Sequence, residues 1–161
     1  MINIPKEFKT KARLSETYLD SKFNPITDSV KLKELKKDDP IILLELETKN
    51  KANSISITLT PLTDLFLQLI GDTTQLLDFA KKGMIATARQ ATENFDTLFS
   101  KIKIGALTFD KLFVSSKMND ITLFHGGYFA RLNDYYLIIT MDFISSRKAQ
   151  MMNAVETAKF D

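Results

Sequence analysis

Apolar and polar residues alternate cleanly from Ser54 to Thr60. Ile55, Ile57 and Leu59 fall on one side, and Ser56, Thr58 and Thr60 on the other. Period two is the signature of a half-buried strand. Ile41 to Thr48 reads as a strand just before it, and the polar Lys49-Asn50-Lys51-Ala52-Asn53 connection makes the two a hairpin. Pro61 ends the second strand, because proline has no N–H to give a ladder. Further on, Tyr135 to Ile144 is the most apolar, β-branched and aromatic run in the chain. It reads as a buried strand near the centre of an antiparallel sheet. Between Lys101 and Leu132 the period is again mostly two. Ile102 and Ile104 alternate with lysines, and Phe109 to Ser115, Ile121 to His125 and Tyr128 to Leu132 are short strand candidates. Lys117-Met118-Asn119-Asp120 and Asn133-Asp134 supply turns, and Gly126-Gly127 reads as a further turn or bulge. Strands at this spacing predict an antiparallel meander.

Two stretches change to the helical period. Leu77, Ala80, Met84, Ala88, Ala91 and Phe95 lie on one stripe after the N-cap candidate Asp72, with Gln75 placed to complete a capping box. The pattern predicts a helix from Thr73 to about Phe95. Gly83 within it costs about 1 kcal/mol of helix propensity. Met151, Ala154, Val155 and Ala158 form the apolar face of a closing helix, with Ser145 or Ser146 as its cap. Leu62 to Ile70 fits a short helical face that Gly71 would stop. Residues 1–40 are less regular. Ile2, Ile4 and Phe8 suggest an edge strand beside Pro5, and Lys11 to Phe23 fits either a short helix or a strand. The expected fold is α+β: an antiparallel meander flanked by a long middle helix and a C-terminal helix, sandwich-like. One domain is expected over residues 1–161, with its sheet-and-helix core at 41–160.

Composition narrows the function classes. The chain has 22 basic and 20 acidic residues, a net charge of +2, too balanced to suggest a nucleic-acid partner. Lys31, Lys33, Lys36 and Lys37 cluster, but Glu34, Asp38 and Asp39 dilute them, as on a solvated face. Without cysteine there is no disulfide or thiolate chemistry. No apolar run reaches transmembrane length. The N-terminus lacks a signal-peptide pattern, so the chain reads as cytoplasmic as it stands. It reads as periplasmic or a lipoprotein if Met1 replaces a removed leader.

Four residues are candidates for binding a ligand or partner: His125, Tyr128, Tyr136 and Asp142. His125 precedes Gly126-Gly127 as in the oxyanion loop of some esterases, but there is no nucleophile elbow and no second histidine, so a structural role is favoured. Asp142 sits in an otherwise apolar strand, where an unpaired buried carboxylate is costly. It is either a partly solvated strand end or a perturbed acid in a pocket. Phe124, Tyr128, Phe129, Tyr135 and Tyr136 have Arg131 among them, but one cation does not make a nucleic-acid platform. Met151-Met152 suits core filling or an adaptable groove. Phosphate loops, dinucleotide fingerprints and metal motifs are missing, so neither a cofactor nor a metal is expected.

The order of elements resembles the sandwich of the PsbP and DcrB-like group, which includes photosystem PsbP proteins, DcrB-type lipoproteins, a Ran-binding import factor and type VI secretion effector chaperones. Ile4-Pro5, Ile55 to Pro61, Thr73 to Phe95, Tyr135 to Ile144 and Met151 to Phe160 carry the resemblance. It implies a bacterial accessory, binding or chaperone role and transfers no functional residue. The expected function is therefore non-catalytic: a sheet face or groove holding a protein partner or a small apolar ligand. The alternative is a small hydrolase or transferase with a site near His125 and Asp142.

Overall fold

A computed structural model describes residues 7–13, 40–63 and 72–158. Seven strands form one sheet: β1 (Phe8–Arg13), β2 (Ile41–Thr48), β3 (Ser54–Pro61), β4 (Phe95–Ile104), β5 (Leu107–Met118), β6 (Ile121–Leu132) and β7 (Tyr135–Ile144). Their order across the sheet is β1-β2-β3-β7-β6-β5-β4. The aromatic run Tyr135–Ile144 therefore occupies the middle position. All neighbours are antiparallel. Helix α1 (Thr73–Ala91) links the two meanders, and a 3-10 turn (Ser145–Arg147) leads into the closing helix α2 (Lys148–Glu156).

Local chemistry sets the C-terminal meander. Its registers pair Ile104 with Leu107, Met118 with Ile121, and Leu132 with Tyr135, so each hairpin closes through a two-residue loop. The first loop residues, Gly105, Asn119 and Asn133, have φ of 60°, 55° and 53°. Glycine and asparagine are the residues that tolerate this geometry, which matches the twist of the flanking strands. Asp72 caps α1 as its position predicts: one carboxylate oxygen accepts from the backbone N–H of Thr74 and Gln75, each at 2.9 Å.

The helices lie on opposite faces of the sheet. Residues directly paired across strands share a face. Lys111, Tyr128, Ile139 and Ile57 form one such row, and α2 packs there, with Glu156 bonded to both Lys111 and Tyr128. Met151 and Val155 of α2 are fully buried in this core beside Phe109, Phe113, Met141 and Phe143. Each such side chain contributes about 1.5–3 kcal/mol. Helix α1 covers β4 and β5 from the other side. Its Lys81 ammonium lies 5.9 Å from the centre of the Phe99 ring, and its Arg89 guanidinium 5.9 Å from that of Phe95.

Several expectations are corrected. Gly126-Gly127 is neither a turn nor a break, because β6 runs unbroken through it. A Cβ on Gly126, whose φ is 156°, would stand 2.1 Å from the Leu112 carbonyl oxygen, and one on Gly127 would stand 2.1 Å from that of Ile139. The glycines let the neighbouring backbones close on β6. Helix α1 ends at Ala91, not near Phe95: Thr92 is extended, and Phe95 starts β4 opposite Ser116. Ten ladder pairs outweigh the continuation of one helical stripe. Neither Ser145 nor Ser146 caps the closing helix with its side chain. The edge strand begins at Phe8 and runs to Arg13, so the first three residues of Lys11 to Phe23 are strand. Ile2, Ile4, residues 14–39 and the proposed helical face of Leu62 to Ile70 beyond Thr63 lie outside the described residues.

Candidate functional site

Three polar side chains meet on the face that α2 does not cover. The two-residue loop Asn133-Asp134 fixes the β6–β7 register and sets His125 opposite Asp142, while the β3–β7 pairing sets Ser54 on the other side of Asp142. The His125 Nδ1 lies 2.5 Å from Asp142 Oδ1, and the Ser54 hydroxyl donates to Oδ2 at 3.0 Å. Their order across the sheet is His–Asp–Ser, with the carboxylate in the middle. The hydrogen bond to Asp142 raises the His125 pKa above its ordinary value; partial burial opposes it and the carboxylate charge adds to it. The same bond lowers the Asp142 pKa, aided by the charge of the ring and by Ser54 and opposed by burial. Asp142 is thus a partly solvated strand residue, paired on both sides. The side chains of His125 and Asp142 are 58% and 55% exposed, so the pair is accessible and its energy is small.

An apolar strip adjoins this row. Ile121, Leu123 and His125 alternate onto one face of β6, and Met118 pairs with Ile121 at the hairpin end. Met118, Ile121 and Leu123 are 48%, 53% and 40% exposed, large values for side chains of their type.

The structure brings together two of the four sequence candidates. Tyr128 belongs to the opposite face and is fully buried. Its hydroxyl donates to Glu156 Oε1 at 2.7 Å, and the Lys111 ammonium reaches the same oxygen at 2.5 Å. Burial, then the neighbouring carboxylate, holds its phenol well above the usual tyrosine range. Tyr136 is on the His125 face but lies six residues along β7 from Asp142, about 20 Å away. It is buried, in the row of Thr60 and Arg131.

The sequence reading missed Ser54, Lys111 and Glu156. Ser54 carries no local signal, because its partner lies 88 residues away. The His125–Asp142 pairing was available from the Asn133-Asp134 turn: a two-residue loop there places residue 125 opposite 142.

This row does not hold Ser54 as an activated nucleophile. A serine is activated when its hydroxyl bonds to the base; here Ser54 donates to the carboxylate instead. Among the described residues no group of three or more histidines and carboxylates is placed to hold a metal. No helix among them is long and apolar enough to cross a membrane.

No protein-family model and no curated protein matches the sequence. Solved structures do resemble the fold. LpqN of Mycobacterium tuberculosis, involved in cell envelope biogenesis, matches with a TM-score of 0.51 at 12% identity, over 97% of this chain and 79% of that one. A protein of unknown function, PA94 of Pseudomonas aeruginosa, matches at 0.45 and 15% identity, over 96% of this chain and 98% of that one. Cyanobacterial PsbP from Synechocystis matches at 0.49 and 6% identity, over 94% and 78%. A PsbP protein, the group expected from the order of elements, is thus among the structures this chain resembles. The likeness is one of fold.

Proposed function

We propose that this chain is a non-catalytic accessory protein that holds a protein partner on the sheet face bearing His125, Asp142 and Ser54. The observation that supports this reading is the contiguity of an exposed apolar strip with a solvent-accessible polar row on one rigid surface. Met118, Ile121 and Leu123 would supply the desolvated contact, and the His–Asp–Ser row the orienting hydrogen bonds. The second ring nitrogen of His125, Nε2, is not engaged by Asp142, which leaves the ring a group with which to meet a partner.

A photo-crosslinking residue at position 121 tests the reading in cells. A discrete adduct that disappears with Leu123→Asp, in a variant that still unfolds cooperatively, would support it. Labelling that is diffuse and unaffected by Leu123→Asp would overturn it. The hydrolase alternative has its own readout: turnover of an activated ester that His125→Ala abolishes would favour catalysis.

A further inference from the structure

The two ends of the sheet differ. The β1 edge is six residues long, and its register with β2 slips between Thr10 and Ala12. Such a bulge is a usual way to spoil an edge for further pairing. The β4 edge is ten residues long, contains no proline and pairs with β5 without a register shift. Among the described residues β4 pairs only with β5, so its outer backbone groups have no ladder. Thr97, Leu98, Ser100, Lys101 and Lys103 are exposed, and Leu98, on the face that α2 covers elsewhere, is 39% exposed.

We propose that β4 is the seam of a homodimer, pairing antiparallel with β4 of a second copy about a two-fold axis at Ser100. A two-fold axis perpendicular to the sheet keeps each face continuous, so a residue can meet only a residue of its own face. The registers centred on Ser100 and on Phe99 pair the most residues of β4, and its chemistry favours the first. Centred on Ser100, the pairing sets Leu98 against Ile102 of the partner on one face. On the other it sets Phe99 against Lys101 and Thr97 against Lys103. Leu98 meets an apolar partner and each ammonium meets a ring or a hydroxyl, while at each end of the seam the exposed Asp96 faces Ile104. Centred on Lys101, two lysines would stand opposite each other. Centred on Phe99, Leu98 would lose its apolar partner to Ser100. Lys101 is already tied to Asp110 of β5 at 3.8 Å, which reduces its charge at the seam. A seam of about nine residues is small beside a standard interface, so the dimer is concentration-dependent.

Sedimentation velocity over a wide concentration range tests the pairing on the full chain. The wild type shifts reversibly from monomer to dimer. Thr97→Lys opposes two like charges at each end of the seam and weakens the dimer about three- to tenfold, whereas Thr97→Glu tightens it by a similar factor. The decisive variant is the swap Thr97→Lys with Lys103→Glu, which replaces the repulsion by attraction in this register and brings the dissociation constant below that of the wild type, to near that of Thr97→Glu. Both positions are exposed, and circular dichroism checks the fold. A wild type that stays monomeric at the highest concentration overturns the proposal. A dimer insensitive to the substitutions, or a swap that fails to rescue, overturns the β4 seam. These outcomes are independent of the partner-holding face, which position 121 reports.

Discussion

Two carboxylates, one on each side of the sheet, hold two partners each, yet they do different work. Glu156 accepts from the Lys111 ammonium and the Tyr128 hydroxyl through a single oxygen. It ties α2 to the sheet where Lys111 is only 13% exposed and Tyr128 is fully buried. Asp142 uses both oxygens, for His125 and Ser54, and ties strand to strand in the open. In the first set the groups are largely shielded from water, so losing one partner leaves a poorly solvated charge. In the second, water replaces whatever is lost. The same count of bonds is therefore structural on one face and available for recognition on the other.

The largest effect is expected where both faces depend on one strand. Gly126→Ala would press a Cβ to 2.1 Å from the Leu112 carbonyl oxygen at a φ of 156°. The expected loss is about 3 kcal/mol or more, read from the urea midpoint. Lys111→Met keeps the aliphatic stem over Tyr128 but leaves Glu156 without its counter-charge. A loss of about 2 kcal/mol, larger than that of Asp142→Asn, is expected by thermal unfolding. Tyr128→Phe removes one buried hydrogen bond, and chemical unfolding should show a loss of about 1 kcal/mol. If Lys111→Met and Asp142→Asn proved equal, the contrast between the faces would be wrong.

Asp142→Asn should give the smallest change in stability, about 0.5 kcal/mol, with a clear effect on pH dependence. The His125 pKa is raised, so its contribution is full below its ordinary 6.5 and lost as pH rises through the folded value. The Asp142 pKa is lowered, so its contribution is present above its ordinary 3.8 and lost as pH falls through the folded value. The pair thus contributes fully between those two values. Removing the carboxylate should bring the His125 midpoint down, which proton NMR reads directly because the chain has one histidine. An unchanged midpoint would show that Asp142 does not set it.

Much of this was legible in the chain. Period two found β3, the dense apolar and β-branched run found β7, period 3.6 found α1 and α2, and Asp72 and Asn133-Asp134 marked a cap and a turn. What escaped was decided by distant segments. Gly126-Gly127 has the local chemistry of a turn, yet β5 and β7 need that position flat and bare. Phe95 fits the α1 stripe, but the β4–β5 ladder claims it. The site was half legible: a turn register predicts His125 opposite Asp142, but no pattern near residue 54 indicates that β3 will lie beside β7. Glu156 sits on a helix whose docking side alone was readable.

The meeting of β3 with β7 also has a consequence in time. Strands β4 to β7 are joined by two-residue loops, and β2 and β3 by one short loop, so each set closes at small entropic cost. The β3–β7 ladder joins them across a much longer span of chain, from Ser54 to Asp142. Contacts of such separation form slowly, after local ones have paid their own ordering entropy. The ladder at the centre of the finished sheet is accordingly expected to close after the hairpins on either side of it, so the strand that reads most strongly in the sequence waits for one of its two neighbours.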